Sequence, residues 1–133
     1  MSVVVDSSVI VAALVDRGTT GVWAERVIEL GSLHAPAIVE AEVVNVLRRM
    51  EIARQIEKSE ANAAFDDLLD LDIDLLAFGP FADRIWQLSQ SVTSYDAWYV
   101  AIAEAIRSPL ATLDARLASS NGPLCQFMTP AAG

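Results

Sequence analysis

The chain has 133 residues, which is the length of one domain and enough to bury a core without disulfides or a structural metal. Hydrophobic residues make up 53% and charged residues 20% of it, which excludes an intrinsically disordered chain. The apolar stretches are too short for a membrane-spanning helix, and the first residues lack the basic start of a signal peptide. The single cysteine, Cys125, allows no internal disulfide, which is typical of a cytoplasmic protein. From these features together we predict a cytoplasmic protein without membrane contact, whose residues 1–133 form a single domain.

The formal net charge is −9, with a single lysine and eight arginines against 18 acidic residues. A protein that held nucleic acid by charge alone would be basic. Any contact with a polyanion must therefore pass through bound cations or a local arginine patch, while the same charge would attract a basic protein partner. Solubility alone is an alternative explanation of the excess of acids.

Short apolar segments alternate with helical segments along the chain. Val3 to Val5 are β-branched and apolar up to Asp6, which predicts a buried strand. In chain order, the pattern then predicts helices over 7–15 and 19–30, a strand at 33–35, helices over 36–54 and 59–71, a strand at 73–78, helices over 81–89 and 94–106, a strand at 110–113, a short helix and a last strand at 124–128. Pro36 is expected in the first turn of its helix, a position that tolerates proline. The alternation predicts a single α/β domain with a mostly parallel central sheet flanked by helices on both faces.

Four acidic residues are predicted to lie at one rim of this sheet. Asp6 and Asp114 each follow a strand directly, and ligands of parallel sheets bind beyond the carboxyl ends of the strands. Asp96 begins a helix that is apolar nearly all round, so it should face protein or a cleft. Glu42 and Asn45 stand at the border of the apolar stripe of their helix, so we expect neither to be fully exposed.

Each acid also has a purely structural explanation. Asp6 and Asp114 suit helix N-caps, Asp96 suits the positive end of a helix dipole, and Glu42 suits an ion pair with Arg49 or Arg48. As a group, however, the acids have only arginines to neutralise them. Two carboxylates about 4 Å apart repel by about 4 kcal/mol at an effective dielectric constant of about 20, so a cluster needs bound cations or shared protons.

Oxygen ligands of this kind suit Mg²⁺ or Mn²⁺. Because no histidine or cysteine stands among them, metal-assisted hydrolysis of a phosphodiester fits the group, and the metal would also bridge an acidic site to a phosphate. Ser8 and Thr112 flank the two strand-end aspartates, where their hydroxyls could hold metal-bound waters. A role in capping or in a turn is an equally good explanation of both hydroxyls.

Four blocks of the sequence resemble the motifs of a known family. They are Val4–Ser8, Ala35–Pro36 followed by Glu42–Arg49, Tyr95–Glu104, and Thr112–Leu117. The family is the PIN-domain nucleases, and the branch that the blocks resemble is the VapC-type toxins. No single block is specific, but together they span nearly the whole chain in the order and spacing of the family.

The resemblance implies a metal-dependent endoribonuclease that forms a homodimer and is held inactive by a VapB-type antitoxin. It also implies roles for six residues: a catalytic and Mg²⁺- or Mn²⁺-binding acidic quartet of Asp6, Glu42, Asp96 and Asp114, with Asn45 and Thr112 in support. Glu40 is a rival to Glu42, but only Glu42 is followed by the Val-x-Asn-x-Leu pattern of the family.

The charge adds an expectation about the antitoxin. An acidic toxin should attract a flexible, basic and partly apolar tail that is disordered until it binds. We expect its apolar residues in a groove of the early helices near Trp23 and Val27, and its arginine or lysine at the quartet in place of the metal. Steric masking without such a contact is the alternative.

Other prominent residues are given no catalytic role. His34, the single histidine, is expected at a strand end or on the surface, because the metal chemistry does not need it. Trp23, Trp86 and Trp98 are expected as core or interface anchors. The acids between 66 and 74 are expected to form a solvated face, or else to receive a basic partner.

Three other functions agree less well with the sequence. A phosphoacceptor receiver domain needs a late lysine, and Lys58, the one lysine, stands in mid-helix. A flap-type nuclease resembles PIN domains but needs additions that 133 residues cannot hold. A catalytically inactive PIN-fold scaffold that only binds protein is the remaining alternative, and the intact quartet argues against it.

Overall fold

The structure, a computed structural model, describes residues 1–131, and the last two residues of the predicted domain 1–133 lie outside the described residues. Its strands are β1 (Ser2–Val5), β2 (Ser32–Pro36), β3 (Ile73–Leu76), β4 (Leu110–Ala111) and β5 (Phe127–Met128). Its helices are α1 (Ser7–Val15), α2 (Thr19–Glu29), α3 (Val39–Ile52), α4 (Lys58–Asp70), α5 (Ala82–Leu88), α6 (Ser94–Ile106) and α7 (Ala115–Ala118). A short 3-10 turn, Gly79–Phe81, precedes α5.

The strands form one sheet in the order β3-β2-β1-β4-β5, and every pair of neighbours is parallel. The central strand is β1, whose residues Val3, Val4 and Val5 have no exposed surface, as a strand covered on both faces requires. On the sheet, α6 packs against β1, β2 and β4, while α1 packs against α2, α3 and α4. The predicted α/β fold with a parallel sheet flanked by helices is confirmed.

The order of the strands reverses beside β1. The chain proceeds outward from β1 to β2 and β3, then returns to place β4 on the other side of β1. In open parallel sheets the crevice for ligands lies at such a switch point, beyond the carboxyl ends of the strands. The ends of β1 and β4, at Val5 and Ala111, are therefore the expected location of a binding site.

The prediction that Pro36 opens the third helix is wrong. Pro36 ends β2 opposite Leu76 of β3, and the amide of Ala37 donates to the Leu76 carbonyl at 2.9 Å. The helix α3 begins only at Val39. Because proline has no amide donor, the last position of a strand accommodates it as readily as a first helical turn, and pairing with β3 selects the strand.

Most other predicted boundaries lie within two residues of those in the structure, but three strands are shorter than predicted. The strand predicted at 73–78 ends at Leu76, the one predicted at 110–113 ends at Ala111, and the last covers only Phe127–Met128. Beyond Ala111 the chain turns to place Asp114 as the N-cap of α7. Nowhere in residues 1–131 is a helix both long and apolar enough to cross a membrane.

Candidate metal centre

Asp6 stands at the end of β1, at the switch point of the sheet, and is only 8% exposed. Its Oδ1 accepts hydrogen bonds from the amide of Val9 at 3.2 Å and from Ser8 Oγ at 2.5 Å, and its Oδ2 accepts one from Thr112 Oγ1. Asp6 is therefore the N-cap of α1, as its structural explanation predicted. These contacts also fix a buried carboxylate at the rim of the sheet and leave Oδ2 a second lone pair.

The hydroxyls of Ser8 and Thr112 connect Asp6 to the chain that follows β4. Each donates its proton to Asp6. Each also accepts a backbone amide, Ser8 Oγ from Leu113 at 3.1 Å and Thr112 Oγ1 from Asp114 at 3.0 Å. Both hydroxyls thus orient Asp6 by direct contact and also serve the turn after β4, in agreement with the capping or turn role. Their contact with metal-bound water stays a prediction.

Glu42 reaches the site from α3 and is held by a residue that the sequence analysis did not single out. Tyr99 Oη donates to Glu42 Oε1 at 2.5 Å, a contact between residues 57 positions apart. Tyr99 is 2% exposed, and Glu42 is half-buried. Because Tyr99 lies three residues after Asp96 on α6, the two side chains share one face of that helix. The three-residue spacing from Asp96 is the sequence feature that could have identified Tyr99 as a residue of the site, although the surrounding helix is apolar.

The structure corrects two expectations about α3. Among the contacts of residues 1–131, Glu42 forms no ion pair with Arg49 or Arg48. Asn45 is exposed rather than at the border of the buried face, because Val39, Val43 and Leu47 turn that face away from it. A supporting role for Asn45 stays a prediction.

Asp96 and Asp114 complete the rim from α6 and α7. Asp96 lies in the first turn of α6, where its amide donates to the N-cap Thr93 Oγ1 at 3.2 Å, and it is half-buried. Asp114 is exposed, and its Oδ1 accepts the amides of Arg116 at 2.9 Å and Leu117 at 3.2 Å. Their structural explanations, a helix-dipole position and an N-cap, therefore both hold.

Burial raises the pKa of Asp6, Glu42 and Asp96 above the ordinary values of these groups. Negative neighbours raise the pKa values further: Asp96 acts on Asp6, these two act on Glu42, and Asp114 acts on Asp96. Hydrogen bonds to the carboxylates, and the charge of Arg116 near Asp96, oppose the rise without cancelling it. The structure thus brings the acidic quartet into one electrostatic cluster.

Glu104, on the same helix as Asp96, behaves in the opposite way. Burial raises its pKa, but hydrogen bonds from Arg84 and the amide of Leu124 outweigh burial, so the pKa is lowered overall. Arg84 Nε and Nη2 meet Oε1 and Oε2 of Glu104 at 2.7 and 3.0 Å, a bidentate pair. Among residues 1–131, by contrast, no lysine or arginine comes within 4.0 Å of a quartet carboxylate. The negative charge of half-buried Glu104 is thus neutralised by Arg84, whereas the carboxylates of the quartet have no such partner among these residues.

The donor set fits a hydrated divalent cation better than a bare one. Within residues 1–131, no three acidic, histidine or cysteine side chains converge closely enough to enclose a metal ion. Mg²⁺ keeps several of its waters and needs only one or two direct carboxylates, so the remaining acids would contact it through water. Asp6 is the buried member of the quartet, while Glu42 and Asp96 are half-buried and Asp114 is exposed.

The other prominent residues are placed as follows. His34 lies in the middle of β2, not at a strand end, and its Nδ1 is 3.3 Å from Asp74 Oδ2. Trp23 and Trp98 pack against the core as expected, whereas Trp86 is 76% exposed and is no core anchor. The acids from Asp66 to Asp74 are exposed, as predicted for a solvated face.

Comparisons with known proteins agree with this fold. The PIN domain family matches residues 3–121 of the chain. Ribonuclease VapC1 of Mycobacterium tuberculosis is 36% identical over 125 residues, which are 93% of this chain and 94% of that protein. Ribonuclease VapC9 of the same species is 31% identical over 123 residues, or 92% of this chain and 94% of that protein. The crystal structure of VapBC2 from Rickettsia felis bound to a promoter DNA fragment has a similar fold, with a TM-score of 0.69 at 14% identity over 98% of this chain and 100% of that one. The chain therefore belongs to the PIN-domain family and, within it, to the VapC branch.

Proposed function

We propose that the chain is a metal-dependent endoribonuclease that acts as the toxin of a type II toxin–antitoxin pair. The observation that carries the proposal is the acidic quartet at the switch point of the sheet. Within residues 1–131 no lysine or arginine forms an ion pair with it, and the charges of Asp6, Asp96 and Asp114 raise the pKa values of neighbouring quartet acids. The relatives that bear the name ribonuclease support the substrate class.

The quartet residues have distinct tasks in this proposal. A divalent cation bound there supplies Lewis-acid chemistry for hydrolysis of a phosphodiester bond. Asp6, which Ser8 and Thr112 fix, and Asp96 would hold this cation. Glu42, whose Oε1 is held by Tyr99 and whose pKa is raised by burial, accepts a proton from the attacking water.

The test is cleavage of single-stranded RNA by the purified chain. We expect cutting with Mg²⁺ or Mn²⁺ and none with EDTA. Asp6→Asn and Asp96→Asn should reduce the rate at least about 100-fold while the folded far-UV spectrum is retained, because each removes charge at little change in shape. Asp83→Asn is the matched control, since Asp83 is an exposed acid in the first turn of α5.

Two outcomes would reject the proposal. Full activity in EDTA would exclude the metal-assisted mechanism. A folded protein that cuts no RNA with either metal would leave the inactive protein-binding scaffold as the better description.

We also propose a VapB-type antitoxin with a basic tail as the partner, and a homodimer as the active assembly. The VapBC complex among the structural neighbours and the charge of −9 support the partner. Val27 is buried in the core, so its side chain is not available to line the groove expected near Trp23 and Val27. A groove of about 340 Å³ lies instead between α1, α2 and α4, and four acids, Asp16, Glu25, Glu60 and Asp67, line it.

The proposed basic tail of the antitoxin is expected to inhibit RNA cutting by this chain through a contact with the quartet. If its arginine or lysine takes the place of the metal at the quartet, replacing that residue by alanine should restore RNA cutting while the complex stays assembled. Raised Mg²⁺ should compete with the intact tail. A complex that remains fully inhibited after every basic residue of the tail is replaced would favour steric masking.

A further inference from the structure

A polar groove of about 580 Å³ leads away from the quartet. It runs from Asp96 and Asp114 between the loop 89–93 and α7, and its volume is within the range of roughly 300–1,000 Å³ found for ligand pockets. Its uncharged polar side chains are Ser89, Gln90, Ser91, Thr93 and Ser120. Among the described residues that line it, Arg116 carries the one positive charge.

The position of Arg116 is fixed through its backbone. Its amide donates to Asp114 Oδ1 at 2.9 Å, and the next residue, Leu117, is 3% exposed and packs in the core. The turn that carries Arg116 is therefore anchored on both sides. Its own side chain is exposed and lines the groove together with Asp96 and Asp114, beside the quartet. Its positive charge opposes the rise in the pKa of Asp96.

Arg116 is also available for a ligand. Among residues 1–131 it takes part in none of the ion pairs within 4.0 Å, unlike Arg84, which is bound to Glu104, and Arg17, which is bound to Glu60. A guanidinium matches the geometry of a phosphate and can meet two of its oxygens. In a chain with a net charge of −9, such a cation beside the acids is a specific feature rather than part of a basic surface.

We propose that Arg116 binds a backbone phosphate of the RNA strand adjacent to the bond that is cut, and that this groove holds the strand as it leaves the quartet. The inference rests on the proposed ribonuclease function. Phosphate contacts position a nucleic acid without reading its sequence, so Arg116 sets affinity and register rather than base preference. Neutralisation of Asp96 alone is the competing role for this arginine.

The salt dependence of RNA binding separates these roles. Affinity for a fluorescent pool of short random single-stranded RNA is measured against KCl in EDTA, with Asp6→Asn as the parent so that no strand is cut. Each single-stranded phosphate contact contributes about 0.7 to the slope of log affinity against log salt. We expect Arg116→Ala and Arg116→Gln to lower the slope by about 0.7 and the affinity at low salt roughly 10-fold, and Arg116→Lys to retain most of the slope. Arg26→Ala, which removes an exposed arginine of α2 outside the groove, is the matched control and should leave the slope unchanged.

The other outcomes are interpreted for variants whose melting temperature equals that of the parent. An unchanged slope in both Arg116→Ala and Arg116→Gln overturns the inference and leaves the proposed function standing. An equal loss in Arg26→Ala also overturns it, because the contact would then be unspecific charge. A parent that binds no RNA in EDTA even at low salt also overturns the inference, whereas the proposed function is decided separately by the cleavage assay with Mg²⁺ or Mn²⁺.

Discussion

Two acids on α6 show, at the scale of single residues, how neighbours decide the charge of a carboxyl group. Asp96, in the first turn, has a pKa raised by burial and by the charge of Asp114. Glu104, two turns later, has a lowered pKa, because the bidentate contact with Arg84 outweighs its burial. The carboxylate of Glu104 therefore has an arginine partner, whereas that of Asp96 has none within 4.0 Å among residues 1–131.

We expect Asp96→Asn to stabilise the metal-free protein at neutral pH but not in acid. Because the folded pKa of Asp96 is raised, its contribution to stability is present below the unfolded value of 3.8 and is lost as the pH rises through the folded value. The mutant should therefore gain on the wild type as the pH rises. The measurement is the free energy of unfolding by urea in EDTA at a series of pH values. Asp83→Asn supplies the baseline, and a difference that stays constant with pH would contradict the raised pKa.

At this scale the sequence predicted the acids but not their partners. Asp6 and Asp114 were placed correctly because strand ends and caps are local features that the pattern of a few residues encodes. The contact between Tyr99 and Glu42 joins residues 57 positions apart. The local spacing places Tyr99 on the same helix face as Asp96 but does not identify Glu42 as its partner. In an apolar helix a tyrosine is read as a core residue, so its hydroxyl becomes informative only after α3 and α6 are placed side by side.

At the scale of elements, the hydrogen bond from the Tyr99 hydroxyl to Glu42 connects α6 to the quartet acid on α3. It fixes Oε1 of Glu42 and leaves Oε2 for the site. Partners of this kind typically change metal affinity by about 10- to 100-fold when removed, because they orient the ligand.

We therefore expect Tyr99→Phe to weaken the Mg²⁺ response about 10-fold or more and to destabilise the metal-free protein by about 1 kcal/mol. The measurements are the Mg²⁺ concentration for half-maximal RNA cutting and for half-maximal rise in melting temperature. Tyr95→Phe is the control, since Tyr95 is exposed on the same helix and no hydrogen bond of its hydroxyl occurs among residues 1–131. If the two variants respond equally to Mg²⁺, Tyr99 serves only the packing of the core.

Elements were predicted well where a local signal marks both ends. The predicted limits of α6, 94–106, match the structure because Thr93 caps its first turn and Arg107 ends it in the left-handed region, with φ 53°. Pro36 was misplaced because its chemistry suits a strand end and a first helical turn equally, and only the pairing with Leu76 decides. The length of β4 likewise depends on β1 and β5, which lie more than ten residues away in sequence.

At the scale of the whole molecule, the fold brings several acidic side chains together at one rim of the sheet. The strand order places the ends of β1 and β4 side by side, so Asp6 and the segment from Thr112 to Asp114 meet at the switch point, and α3 and α6 add Glu42 and Asp96. The unfolded chain keeps the same acids apart. A cation that binds the assembled quartet therefore binds the folded state alone, and it must stabilise the fold by mass action.

The most direct test of the central claim is the melting temperature of the protein as a function of Mg²⁺ concentration. A ligand of the folded state at 100 times its dissociation constant contributes about 2.7 kcal/mol, which is a rise of roughly 10 °C for a domain of this size. We predict such a rise for the wild type and for Asp83→Asn, and a rise reduced by more than half for Asp96→Asn. An equal rise in Asp96→Asn would place the cation elsewhere, and no rise in the wild type would contradict a metal site at the quartet.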